Sequence, residues 1–135
     1  MSELRIALVS LSALMLAFVL VTLIALEGRE VVILHTFDTD GQVRRTRTWV
    51  ADDGGYTWIE AANLERPFLT QLRTNPEVRL DRGGTVYSCT ASVAPNPDGH
   101  QHIRRLLAAK YGWADAWIGL LTDTTASVAV RLQCR

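Results

Sequence analysis

Near the N-terminus the polar positions vanish. From Ile6 to Leu26 no residue is charged, and only Ser10, Ser12 and Thr22 bear hydroxyls. As a helix, residues 6–26 would extend about 31 Å at 1.5 Å per residue, matching the roughly 30 Å of a bilayer's hydrocarbon. A core helix of a soluble domain would place polar residues every three or four positions, and none recur here. A secretory leader has a shorter apolar stretch and a small-x-small cleavage site, whereas Leu23-Ile24-Ala25 and Ile24-Ala25-Leu26 are poor ones. The pattern therefore predicts a single uncleaved membrane anchor in contact with lipid.

Beyond it the period changes. Glu27-Gly28-Arg29 leads into Glu30–Phe37, a β-branched run that stops at the turn Asp38-Thr39-Asp40-Gly41. A second strand is predicted over Val43–Ala51, a tight turn at Asp52-Asp53-Gly54-Gly55, and a third strand over Tyr56–Ala61. A helix follows, with Pro67 in its first turn, Phe68, Leu69 and Leu72 on one face, and Asn75-Pro76 as its stop. Val78–Leu80 and Thr85–Val93 read as a fourth and fifth strand. His100–Tyr111 and Ala114–Leu121 read as helices, the first with Ile103, Leu106 and Leu107 on one side. Thr124–Gln133, with Val128, Val130 and Leu132 alternating, reads as a sixth strand. The expected architecture is α+β, mainly β: a six-stranded antiparallel barrel, whose closure removes exposed edges, preceded by one transmembrane helix. Residues 1–29 form anchor and linker, and 30–135 form the domain. With so short a linker the domain must sit against the headgroups.

Charge and cysteine content add little. Fourteen basic and fourteen acidic residues cancel, which excludes the basic signature of a nucleic-acid binder. Arg29, Arg44 and Arg45 on one flank against Arg5 on the other favour a cytoplasmic domain. Cys89 and Cys134 are free to pair or to remain thiols, and do not fix the compartment.

Several segments, taken in order, resemble the split β-barrel oxidoreductases, meaning the pyridoxamine-phosphate-oxidase-like flavoproteins and the deazaflavin-dependent nitroreductases. They are His35-Thr36-Phe37-Asp38-Thr39-Asp40-Gly41, Val43-Arg44-Arg45-Thr46-Arg47-Thr48-Trp49-Val50, the stretch from Leu69 to Asn75-Pro76-Glu77-Val78, and Ala109-Lys110-Tyr111-Gly112-Trp113-Ala114-Asp115. The resemblance spans about residues 30–133. It implies a deazaflavin or FMN cofactor, a small or lipophilic acceptor such as a quinone or nitro compound, pairing into a homodimer, and Arg44 and Thr46 near the cofactor's phosphate. Relatives often carry Lys or Trp near the position of Phe68, and Arg66-Pro67-Phe68 departs from that.

The residues themselves offer a compatible site. Arg44, Thr46 and Thr48 share one strand face and Arg45 and Arg47 the other, and guanidinium beside hydroxyls suits a phosphate. The same cluster would equally suit a solvated face or anionic headgroups. Small residues at Ala62 and Asn63 would let a flat ring approach the backbone, with Arg66 in reach of a phosphate, although the same stretch reads at least as well as an ordinary helix start. His100 and His102, two apart, lack metal-ligand spacing, and no metal site is expected. His35 is expected in the core or lining a pocket. The four tryptophans are expected to pack in the core, with Trp113 or Trp117 free to face a cleft or the lipid interface. No nucleophile or acid–base pair is evident, so catalytic residues are not assigned. A ring cofactor would not need them, and neither would a non-catalytic cofactor- or haem-binding module or a membrane interaction subunit.

Overall fold

A computed structural model describes residues 2–135. Eleven elements follow in order: α1 (Glu3–Glu27), β1 (Val32–Phe37), β2 (Val43–Thr48), β3 (Ala51–Asp53), β4 (Tyr56–Ala61), α2 (Pro67–Thr74), β5 (Glu77–Arg82), β6 (Thr85–Val93), α3 (Asp98–Tyr111), α4 (Trp113–Leu121) and β7 (Val128–Cys134). All seven strands belong to one antiparallel sheet in the order β2-β1-β5-β6-β7-β4-β3. The mainly β, α+β class is as expected, but the strand count is seven rather than six.

The extra strand has a geometric cause. The expected Val43–Ala51 strand breaks at Trp49-Val50, where the chain leaves one edge of the sheet as β2 and rejoins the opposite edge as β3. Two residues can join opposite edges only if the sheet curls until the edges approach. The barrel is therefore split along this line, and the break is where it nearly closes. Gly54 and Gly55 both have positive φ, the conformation a two-residue hairpin needs between β3 and β4. Other boundaries shift by a few residues: β5 is longer than Val78–Leu80, and β7 begins at Val128 rather than Thr124.

The inward face is a single core. Val32 and Leu34 of β1 meet Leu80, Ile59, Val130 and Leu132 from other strands, and the expected face of α2, Phe68, Leu69 and Leu72, closes one end. A second, smaller core forms where α3 covers the outside of the sheet and α4 packs between α3 and α1, with Ile103, Leu107, Tyr111, Ala129 and Ala25 among its members. His35 corrects its expectation. It alternates with the buried Leu34 and Thr36, so it lies on the outer face opposite Arg45 of β2 and Arg79 of β5.

Cys89 and Cys134 are cross-strand partners in β6 and β7 and form a disulfide, with no free cysteine among the described residues. The open choice between thiols and a bond is thereby resolved by register.

The last turns of α1 are fastened to the domain. Trp117 Nε1 donates to Thr22 Oγ1 at 3.0 Å, and its ring meets Phe18 at 5.6 Å. Trp49 Nε1 donates to the Leu26 carbonyl at 3.2 Å, Arg47 pairs with Glu27, and Ala25 is fully buried. Trp49 also stacks on Tyr111 at 4.2 Å. Tyr111, whose hydroxyl burial pushes up in pKa, donates to the Glu30 carbonyl at 2.7 Å and accepts from Val50 N–H at 3.1 Å.

Beside it Arg82 holds Glu30 and Asp52 at 2.7–2.9 Å, and Lys110 reaches Glu30 at 2.5 Å. Hydrogen bonds from Arg82 depress both carboxylates below their ordinary values of 4.5 and 3.8. Such groups add stability that is complete above those ordinary values and is lost as pH falls through the lower folded ones. Urea unfolding at stepped pH is expected to show stability falling below those values. Arg82→Gln is expected to flatten that part of the profile.

Candidate active site where the first helix meets the barrel

An open cavity of about 300 Å³ lies where α1 ends, between β2, β4 and α4. Its walls are largely apolar, with Leu26, Val31, Trp49, Leu107 and Ile118 among them. Volume and lining fall at the small end of the range for ligand sites, about 300–1,000 Å³.

Of the six residues singled out from the sequence, Thr48, Ala62 and Arg66 line this cavity. Arg44 and Thr46 do not. They lie opposite Thr36 and Leu34 of β1, on the sheet face that also carries Thr48 opposite Val32. At about 3.4 Å per residue, Thr46 is about 7 Å and Arg44 about 14 Å along the strand from Thr48. The alternation inferred from sequence holds, but Arg44 and Thr46 lie on the inward face of the sheet, whereas Glu60, Arg104 and Leu107 place the cavity on its outer side, the side of Arg47. Asn63 is elsewhere: its side chain accepts from Glu65 N–H at 3.1 Å in the turn after β4. Arg66, just before α2, makes no ion pair among the described residues, whereas Arg47 on the same wall is paired with Glu27.

The most organised group in the cavity was not evident from sequence. Arg104 of α3 spreads its two terminal nitrogens between two carboxylates. One meets both oxygens of Asp115 at 2.6 Å, and the other meets those of Glu60 at 2.9 and 3.1 Å. All three side chains line the cavity and are only 9–22% exposed. Burial works against the charge on Arg104, and the two carboxylates outweigh it, so its pKa is raised. The guanidinium is fully committed, which makes it a brace for β4, α3 and α4 rather than a free phosphate ligand. Asp115 can reach it because Gly112, at φ +56°, turns the chain from α3 into α4.

The histidines take no part. His102 sits 3.2 Å from Asp53 and edge-on to Trp58, and His100 Nδ1 lies 2.7 Å from Ser127 Oγ. Among the described residues no three His, Cys, Asp or Glu side chains are grouped to hold a metal ion.

This arrangement has known counterparts. A sequence profile of the F420H(2)-dependent quinone reductase family matches residues 19–133, from within α1 to within β7. The chain belongs to this family. Family members use a deazaflavin, and nothing in the match is specific to FMN. No curated protein sequence matches the chain.

Solved structures share the fold at low identity. An F420 reductase is 19% identical, with a TM-score of 0.59 over 84% of this chain and 92% of that one. A conserved protein from Mycobacterium tuberculosis is 19% identical, with a TM-score of 0.59 over 100% and 81%. A haem storage protein from Vibrio cholerae is 15% identical, with a TM-score of 0.59 over 82% and 85%.

Proposed function

We propose that this family member is a membrane-anchored reductase that uses a reduced deazaflavin to convert a lipophilic quinone to the quinol, with its site in the cavity beside Leu26. The observation that carries this reading is the cavity itself, because the membrane-directed helix supplies part of its wall. The retained anchor is supported from three sides. Its apolar stretch is long enough to span and exposed along its length, the family match includes its end, and cleavage there would remove Ala25 and the carbonyl that Trp49 caps.

The residues present fit a deazaflavin. The cavity of about 300 Å³ is open, so the ring system enters it while the cofactor's tail and the acceptor lie toward its open side. Ala62 leaves room for the ring against the β4 backbone, and Trp49, Leu107 and Ile118 exclude water around it. Arg66, without a carboxylate partner among the described residues, supplies fixed positive charge for the phosphate. When bound, the reduced deazaflavin supplies a hydride, and the quinone takes up that hydride and one proton. The chain's own contribution is position and dryness. A haem-binding role fits less well, since among the described residues the cavity wall carries no His, Cys, Met or Tyr to act as an axial ligand.

Two copies would pair along the exposed β2 edge, enclosing Arg44. Light scattering of the detergent-solubilised chain tests that. On sidedness, the arginine count favours the cytoplasm, whereas the Cys89–Cys134 bond belongs to an oxidising compartment. A reporter fused after Arg135 decides between them.

The activity is tested by following loss of reduced deazaflavin absorbance as quinone is added to the purified chain in nanodiscs. Turnover that saturates with quinone is expected, and none would overturn the reading. Gly119 on the cavity wall sharpens the test, since a Cβ there would meet no atom within 4 Å. Gly119→Ala is expected to stabilise α4 by about 0.4–1 kcal/mol. Gly119→Phe is expected to keep the fold while filling the cavity, raising KM for quinone severalfold in the same assay.

A further inference from the structure

Every charged group on α4 is accounted for inside the protein, and its remaining surface is apolar. Asp115, the helix's one charged residue, faces Arg104. The outward side carries Trp113 at 49%, Leu120 at 82% and Leu121 at 45% exposure. Three large apolar side chains together on a nine-residue helix mark an interaction surface.

The packing against α1 identifies what covers that surface. Trp117 bonds Thr22 and touches Phe18, four and eight residues before Leu26. At about 1.5 Å per residue these contacts lie about 6 and 12 Å back along the α1 axis. If the apolar run of α1 ends with Leu26 at the hydrocarbon boundary, Trp117 lies inside that boundary, and α4 lies there with it. An exposed Trp beside exposed Leu residues is the composition of a membrane-interface segment.

Resting on the reading of α1 as a span, we propose that α4 is a second membrane-contacting element, lying in the bilayer interface with Trp113, Leu120 and Leu121 in lipid. Ile118 and Gly119 of α4 and Leu26 of α1 line the cavity together. A lipophilic acceptor therefore reaches it laterally, between the two helices, without crossing water. Most of the domain stays in solution while one helix shares the anchor's solvent.

Nitroxide labels report the solvent around single positions. Leu120→Cys, Leu121→Cys, Val9→Cys and Asp40→Cys would each be labelled in the full chain, with Cys89 and Cys134 left bonded. They would then be reconstituted in vesicles of phosphatidylcholine and phosphatidylglycerol. Labels at Leu120 and Leu121 are expected to be broadened by oxygen and protected from a water-soluble nickel chelate, as at Val9, with Asp40 showing the reverse. Nickel access at both α4 positions while Val9 remains in lipid would overturn the proposal and leave the anchor standing. Protection of the α4 labels from both reagents would also overturn it, since a protein surface would then cover α4. Nickel access at Val9 would remove the spanning helix and this proposal with it.

Discussion

Arg104→Met is expected to lower the unfolding free energy by about 3–5 kcal/mol, the usual cost of removing one partner from a mostly buried ionic group. The arginine's removal leaves Glu60 and Asp115 facing one another across the cavity with no counter-charge. The effect comes from the stranded carboxylates rather than from lost packing. Adding Glu60→Gln and Asp115→Asn to Arg104→Met is therefore expected to restore most of the stability. Arg104→Lys is expected to help little, because one ammonium cannot present two separated nitrogens to two carboxylates. Urea unfolding of the four proteins in detergent checks this, and equal destabilisation of the single and triple variants would refute it.

Replacing both cysteines with alanine is expected to cost about 2–4 kcal/mol. The Cys89–Cys134 bond closes a loop spanning 45 residues, and opening it gives the unfolded chain conformations that the bond forbids. Reducing agent should lower the thermal midpoint of the native chain and leave that of the Cys89→Ala/Cys134→Ala chain unchanged. A native midpoint insensitive to reductant would mean that the two sulfurs contribute no cross-link in solution. The loop contains β6, α3, α4 and β7, including Arg104 and Asp115, so cavity binding is expected to weaken in parallel.

The parts of this structure legible in the sequence were those governed by local pattern. α1 declared itself by 21 residues without charge, and α2 by Pro67, its apolar face and Asn75-Pro76. Thr48, Ala62 and Arg66 border the cavity, but strand alternation alone did not single out Thr48, since Thr46 and Arg44 share its face and lie outside the cavity while Arg47 on the other face lines it.

What escaped depends on contacts distant in sequence. Trp49 and Val50 are good strand formers, so no local signal marks the break between β2 and β3; it arises because the sheet curls back on itself. The cysteine pairing depends on the register of β6 against β7. The Arg104 brace joins residues 44 and 11 positions apart, and only the packing of α3 and α4 on β4 brings them together. His35 was misplaced because an apolar strand hides which of its two faces is the inner one until a partner strand is known.

The proposed function requires a deazaflavin bound in the cavity beside Leu26. Its most direct test is a fluorescence titration of the detergent-solubilised chain with F420 and, separately, with FMN, repeated for Gly119→Phe and Arg66→Ala. Saturable F420 binding that is weakened in both variants, with little FMN binding, is the expected result. No F420 binding to the native chain, or binding that neither substitution alters, would contradict it.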